Sequence, residues 1–185
     1  MIPICSHLSE NGKYSDMELR LLEKVFEHRV LEKNDFVLKE GEVCNSAVWV
    51  KKGALYQYRY DQDCNKIIVD FHTQNDWVVD SKSFTSRNPS EYNIQVYEET
   101  YIYMISIESI HGLIAKSQSF LQLGRILEAG NTRSSFFWDL KSPDERYAML
   151  LEKRPEIVLK FPQKYIASYL NVTPETLSRV RKRLK

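Results

Sequence analysis

From Arg29 to Ile105 the chain is a succession of short runs of branched and aromatic residues cut by turn-forming clusters, and this pattern restricts the fold more than any other feature. The runs are Val30 to Leu31, Phe36 to Leu38, Ala47 to Val50, Leu55 to Tyr60, Ile67 to Phe71, Trp77 to Val79, Ile94 to Tyr97 and Tyr101 to Ile105. Between them lie Lys33-Asn34-Asp35, Glu40-Gly41-Glu42, Lys51-Lys52-Gly53, Asp61 to Asn65, and Arg87 to Ser90. Strands recurring at roughly ten-residue spacing predict a small antiparallel barrel or jelly roll, not a parallel sheet with crossover helices. Within Leu55-Tyr56-Gln57-Tyr58-Arg59-Tyr60 the tyrosines alternate, so all three share one face of their strand.

Helical patterns flank this block. Ser15 with Glu18 three residues on is a capping box, and Leu19, Leu22, Val25 and Phe26 follow at helical spacing. Ser106 caps a further helix carrying Ile107, Ile110, Leu113 and Ile114. A longer helix is predicted from about Ser117 to Leu140, in which Phe120, Leu123, Leu127, Gly130, Ser134 and Phe137 alternate steps of three and four. Such a seam suits a second helix of another copy, and a helix lying on its own barrel would show the same period. Ser142-Pro143-Asp144-Glu145 combines a cap, a proline at the first helical position and a returning glutamate, which sets a boundary at about Lys141.

Charge is distributed unevenly along the 185 residues. From Lys141 onward there are 11 Lys plus Arg and 5 Asp plus Glu, a net of +6, whereas the first 140 residues hold 15 and 20, a net of −5. A basic piece that also looks folded is a nucleic-acid footprint. Lys164 to Leu170 reads as a short helix with Ile166, Ala167 and Leu170 inward, Asn171-Val172 as a turn, and Thr173-Pro174 as the cap and first position of a second helix. On that helix Leu177, Val180 and Leu184 face inward, while Glu175, Ser178, Arg179, Lys182 and Arg183 face outward, with Thr173 and Thr176 near its start. Arg179 can give two hydrogen bonds to guanine, Glu175 can accept from cytosine, and the later cations can neutralise phosphates.

Segments Val37 to Gly41, Val48 to Leu55 and above all Phe161 to Lys182 make the chain, from about Ser15 to Leu184, resemble the Crp/Fnr family of bacterial transcription regulators. The resemblance implies an α+β protein with an N-terminal cyclic-nucleotide-binding-like β-roll over residues 1–116, a dimerisation helix over 117–140, and a helix-turn-helix DNA-binding domain over 141–185. It implies double-stranded DNA and a second copy of the chain as partners, and allows RNA polymerase as another. Glu175 and Arg179 fall at the family's base-reading positions, whereas Pro174 stands where many members have another base-contacting arginine, so the operator should differ from theirs. An ungapped comparison puts Val79-Asp80 and Ser90-Glu91 where nucleotide-binding members hold the ribose with Gly-Glu and the cyclic phosphate with Arg-Ser or Arg-Thr. A phosphate beside a carboxylate and without arginine loses its charge-assisted bonds, so cyclic AMP is not expected as the ligand.

Other classes are set aside by residue content. Three cysteines, Cys5, Cys44 and Cys64, are too few and too scattered for the family's iron-sulfur cluster or for a disulfide framework. Lone His72 and His111 are poor grounds for haem, so no cofactor and no metal are expected. His7, His28, His72 and His111 are dispersed, no nucleophile motif or phosphate loop is present, and Asp61-Gln62-Asp63 lacks the rest of a calcium loop, so an enzyme is not expected. No uninterrupted apolar run of about 18 residues occurs. The N-terminus carries no basic and apolar leader pattern, so a cytoplasmic, non-membrane protein is expected. The sequence closes at Lys185, just past the second helix, and no β-hairpin wing is expected after it. A non-DNA-binding effector or protein-interaction module with a vestigial C-terminal domain is the competing reading.

Overall fold

A computed structural model describes residues 2–125 and 142–184. The chain opens with α1 (Pro3–Asn11), which buries Ile4, Cys5 and Leu8, and continues into α2 (Asp16–Val25). Both halves of the predicted capping box form: Ser15 Oγ accepts from Glu18 N at 3.3 Å, and Glu18 Oε2 accepts from Ser15 N at 2.7 Å. Helix α1 has no such signal, because Ile2 caps it without a side-chain hydrogen bond and Pro3 is its only local cue.

Six antiparallel strands form one wrapped sheet: β1 (Glu27–Leu31), β2 (Phe36–Leu38), β3 (Ser46–Tyr60), β4 (Lys66–His72), β5 (Trp77–Val78) and β6 (Asn93–Ser106). Its order is β1-β6-β3-β4, with β2 also on β6 and β5 also on β3. The two runs expected as separate strands on either side of Lys51-Lys52-Gly53 are one strand, because the pairing with β6 continues through a bulge between Val50 and Leu55. Gly53 takes φ +108, and a Cβ there would lie 2.4 Å from Thr100 Oγ1 and 2.7 Å from the Glu99 carbonyl oxygen. Thr100 fills that space and accepts from Ala54 N at 3.1 Å. The bend thus replaces a chain reversal, and β6 likewise runs unbroken through both of its predicted segments.

Helices α3 (Ser81–Ser86) and α4 (Ile107–Ile114) follow β5 and β6. A short 3₁₀ turn, Gln118–Leu121, then replaces the start of the predicted long helix. This change of helical phase turns Phe120 and Leu123 into the roll's own core, where they are 0% and 2% exposed and cannot present a seam to another copy. The Phe120 ring lies 6.1 Å from that of Tyr14. Leu127, Gly130, Ser134 and Phe137 lie outside the described residues.

The C-terminal unit is α5 (Pro143–Lys153), α6 (Pro155–Lys160), α7 (Gln163–Tyr169) and α8 (Pro174–Arg183). Ser142 caps α5 with the reciprocal Glu145 bond expected from its sequence. The unit does not close a core of its own. Tyr56, Tyr58, Ile68 and Phe71, on the outer face of β3 and β4, pack in one cluster with Leu150, Ile157, Phe161, Ile166 and Val180. Phe71 stands 4.2 Å from Phe161 and 5.2 Å from Tyr169 between ring centroids.

Glu18 ties this fold to the segment after α4. Its carboxylate accepts from the Ser117 hydroxyl at 2.6 Å, and that bond first, then those from Ser15, holds its pKa down from 4.5 to about 2. A depressed carboxylate pKa contributes stability above the unfolded value that is lost as pH falls through the folded one. Glu18→Gln should therefore lower the melting temperature at neutral pH, with the difference from wild type shrinking between pH 4.5 and about 2. Parallel melting profiles across that window would contradict this role.

Candidate nucleic-acid interface and effector pocket

The end of the chain is built from local signals. Helix α7 buries Ile166, Ala167 and Tyr169. Asn171 then takes φ +54, a left-handed conformation that asparagine tolerates. Val172 N donates to the Ala167 carbonyl at 2.9 Å and Asn171 N to that of Ser168 at 3.0 Å, which closes the turn. Thr173 Oγ1 accepts from Thr176 N at 3.2 Å, and Pro174 occupies the first position of α8. Leu177 and Val180 anchor α8 on the second core, and the small Ala167 belongs to the same cluster. Leu184 does not join them: it is the C-cap, past the last helical turn, and is 45% exposed.

Thr173, Glu175, Ser178, Arg179, Lys182 and Arg183 are exposed, and Thr176 is half-buried. The Glu175 carboxyl is held below its ordinary pKa by its own backbone N–H, then by the Thr173 hydroxyl, with Arg179 adding a smaller attraction. An ionised acceptor and a guanidinium therefore stand one turn apart on the first half of the helix. The last turn carries Arg181, Lys182 and Arg183. Arg183 is already engaged, donating from Nε and Nη2 to the Asp144 carboxylate at 2.9 and 2.7 Å. Lys182, in the same turn, is exposed.

Three of the four expected effector positions, Val79, Asp80 and Glu91, line two small cavities. Val79 belongs to the roll's core and lines a cavity of about 180 Å³ with Val37, Leu38, Val48, Ile94 and Met104. Asp80, Glu91, Lys82, Ser83 and Tyr92 line another of about 150 Å³. Both are smaller than the roughly 300–1,000 Å³ usual for ligand pockets. Asp80 caps α3, accepting from Ser83 N at 3.2 Å, and also accepts from the Ser90 hydroxyl at 2.6 Å. A carboxylate of the chain itself thus takes the helix N-terminus and the serine donor that a bound anion would use. Glu91 is paired with Lys82 at 2.6 Å on the surface. Arg87, which the sequence did not single out, ends α3 in a left-handed conformation. Its Nη1 donates to the Cys44 carbonyl at 3.0 Å and its Nη2 to Asn45, so the nearby guanidinium is committed to a loop.

Among the described residues Cys5, Cys44 and Cys64 are free, and no group of three His, Cys, Asp or Glu is placed to hold a metal ion. No described helix is long and apolar enough to cross a membrane.

Residues 28–117 match the cyclic nucleotide-binding domain family. Over 97% of its length the chain is 27% identical to the transcriptional activator protein Anr of Pseudomonas protegens, covering 78% of that protein. It shares its fold with FixK2 from Bradyrhizobium japonicum, at TM-score 0.73 and 20% identity over 86% of this chain and 84% of that one. A regulator of the Crp/Fnr family from Eubacterium rectale superposes at TM-score 0.67 and 18% identity, over 92% and 83%. A β-roll of the cyclic nucleotide-binding type, followed by a C-terminal helix-turn-helix, defines a class of bacterial regulators. The chain is similar to proteins of that class, the Crp/Fnr family.

Proposed function

We propose that the chain is a homodimeric, sequence-specific DNA-binding transcription regulator, located in the cytoplasm, whose helix α8 enters the major groove. The observation that carries this reading is the orientation of α8: its apolar side is spent on the second core, while Glu175, Ser178 and Arg179 are exposed on its first half. That half is the part of a recognition helix that meets base edges, and its basic end meets phosphates. Thr173 and Thr176 sit at the entry, within reach of the backbone beside the first bases. RNA polymerase is the further partner that a regulator of this class would engage once on its site.

The roll is proposed to work either through an unidentified effector or without one. The closure of Asp80 on Ser90 supports a chain that needs no cyclic nucleotide, and the scattered cysteines support one without an iron-sulfur cluster. Dimerisation is assigned to the remaining part of the predicted seam, Leu127, Gly130, Ser134 and Phe137, by its spacing alone.

On a site enriched from random duplexes, Arg179→Ala should cost on the order of 1–3 kcal/mol and leave random DNA almost unaffected, relaxing preference mainly at one base pair per half-site. Lys182→Ala should weaken both kinds of DNA alike and reduce the salt slope by about one ion per subunit. Equal weakening of all DNA by both variants would reduce α8 to an electrostatic anchor, and no change with either would overturn the DNA-binding assignment. Leu127→Glu should give monomers by light scattering, and a persisting dimer would move the interface elsewhere. Calorimetric titration with cyclic AMP or cyclic GMP should show no heat of binding at sub-millimolar concentration, and tight binding of either would refute the closed-site account.

A further inference from the structure

A buried ion cluster lies between the roll and the C-terminal helices. Arg154, the junction residue that ends α5 and caps α6, is 11% exposed at its side chain. Its Nη2 donates to Asp76 Oδ2 at 2.7 Å, and its Nη1 donates to the Phe71 carbonyl oxygen at 2.9 Å and lies 3.5 Å from Asp70 Oδ1. Its Nε reaches Glu156 Oε1 at 3.3 Å. Asp70, Asp76 and Phe71 all belong to β4 and the turn after it, so one guanidinium of the C-terminal unit is gripped by three acceptors of the roll.

The apolar burial beside this cluster is non-directional, and a C-terminal unit that slid or tilted would keep much of it. A planar fork matched to fixed acceptors tolerates no such movement. Asp76 is itself held by Thr73 N at 2.8 Å, so the acceptor array is rigid before the arginine meets it. A second directional bond, from Ile68 N to Ser168 Oγ at 2.9 Å, fixes α7 on β4. We propose that Arg154 is a positioning residue that locks the helix-turn-helix unit at one angle on the roll and thereby fixes where α8 points. This rests on the reading of α8 as the DNA-binding helix. In a dimer, that angle sets the separation and tilt of the two reading helices, which must fit half-sites about one turn of DNA apart.

The test uses the full chain as wild type, Arg154→Met, Arg154→Lys, and Arg154→Met combined with Asp76→Asn. Backbone ¹⁵N relaxation dispersion should be flat over α5 to α8 in the wild type and show microsecond-to-millisecond exchange there in Arg154→Met, as the unit shifts among seats on the roll. Affinity for the enriched site should fall about tenfold, within the usual range of coupling between sites. Affinity for random duplex should stay within about twofold, because phosphate contacts do not depend on the fixed angle. The added Asp76→Asn removes the buried charge that Arg154 had balanced and should recover thermal stability without recovering specificity, while Arg154→Lys should recover specificity only in part. Flat relaxation dispersion with wild-type specificity in Arg154→Met would overturn the proposal. So would an equal loss on both kinds of DNA that vanishes when Asp76→Asn restores stability, since that is a structural role alone. If the wild type binds no DNA, the DNA-binding reading fails, and the relaxation data decide the lock by themselves.

Discussion

Leu55 and Tyr56 are neighbours on β3 and point to opposite sides of the sheet, the first into the roll and the second under the C-terminal helices. Both faces of one strand are therefore core. The inner face gathers α1, α2 and α4 around the roll; the outer face, with Ile68 and Phe71 of β4, supplies the floor on which α5 to α8 rest. Truncating a buried phenylalanine typically costs about 3–5 kcal/mol, so a position such as the fully buried Phe71 contributes to holding both parts of the molecule at once. Helix α8 turns its polar side outward because its apolar side, Leu177 and Val180, is packed in this cluster.

Much of this arrangement is legible in the sequence wherever the physics is local. The caps at Ser15, Ser142 and Thr173, and the left-handed turn at Asn171, depend on residues within four positions of one another, and each forms where the sequence places it. The alternating tyrosines announce a shared face, and Tyr56 and Tyr58 stack at 5.4 Å on it, but nothing nearby states what covers that face. Gly53 reads as a turn until Thr100, far along the chain, is seen to fill the space beside it. Phe120 and Leu123 have the spacing of a dimer seam, and spacing carries no information about which partner is met. Arg154 gave no local sign of its place between the two parts, since the roll carboxylates it meets, Asp76 and Asp70, are 78 and 84 residues away.

The part of the roll around Asp80 is satisfied from within the chain as well. Asp80 supplies from within the chain the negative charge that the start of α3 and the Ser90 hydroxyl attract, and Arg87 spends its donors on the loop at Cys44 and Asn45. Two polar devices that elsewhere could respond to a ligand are here satisfied internally. Both sets of bonds lie within the roll, whereas the ion cluster at Arg154 joins the roll to the C-terminal helices.

Amide hydrogen exchange on the full chain, with and without its enriched DNA site, tests this account most directly. The Ile68 amide, bonded to Ser168, reports whether the head is seated, and the first turns of α8 report contact with DNA. The account predicts that DNA slows exchange at the start of α8 while Ile68 stays as protected as in the free protein. Loss of protection at Ile68 on binding, or an α8 indifferent to DNA, would contradict it.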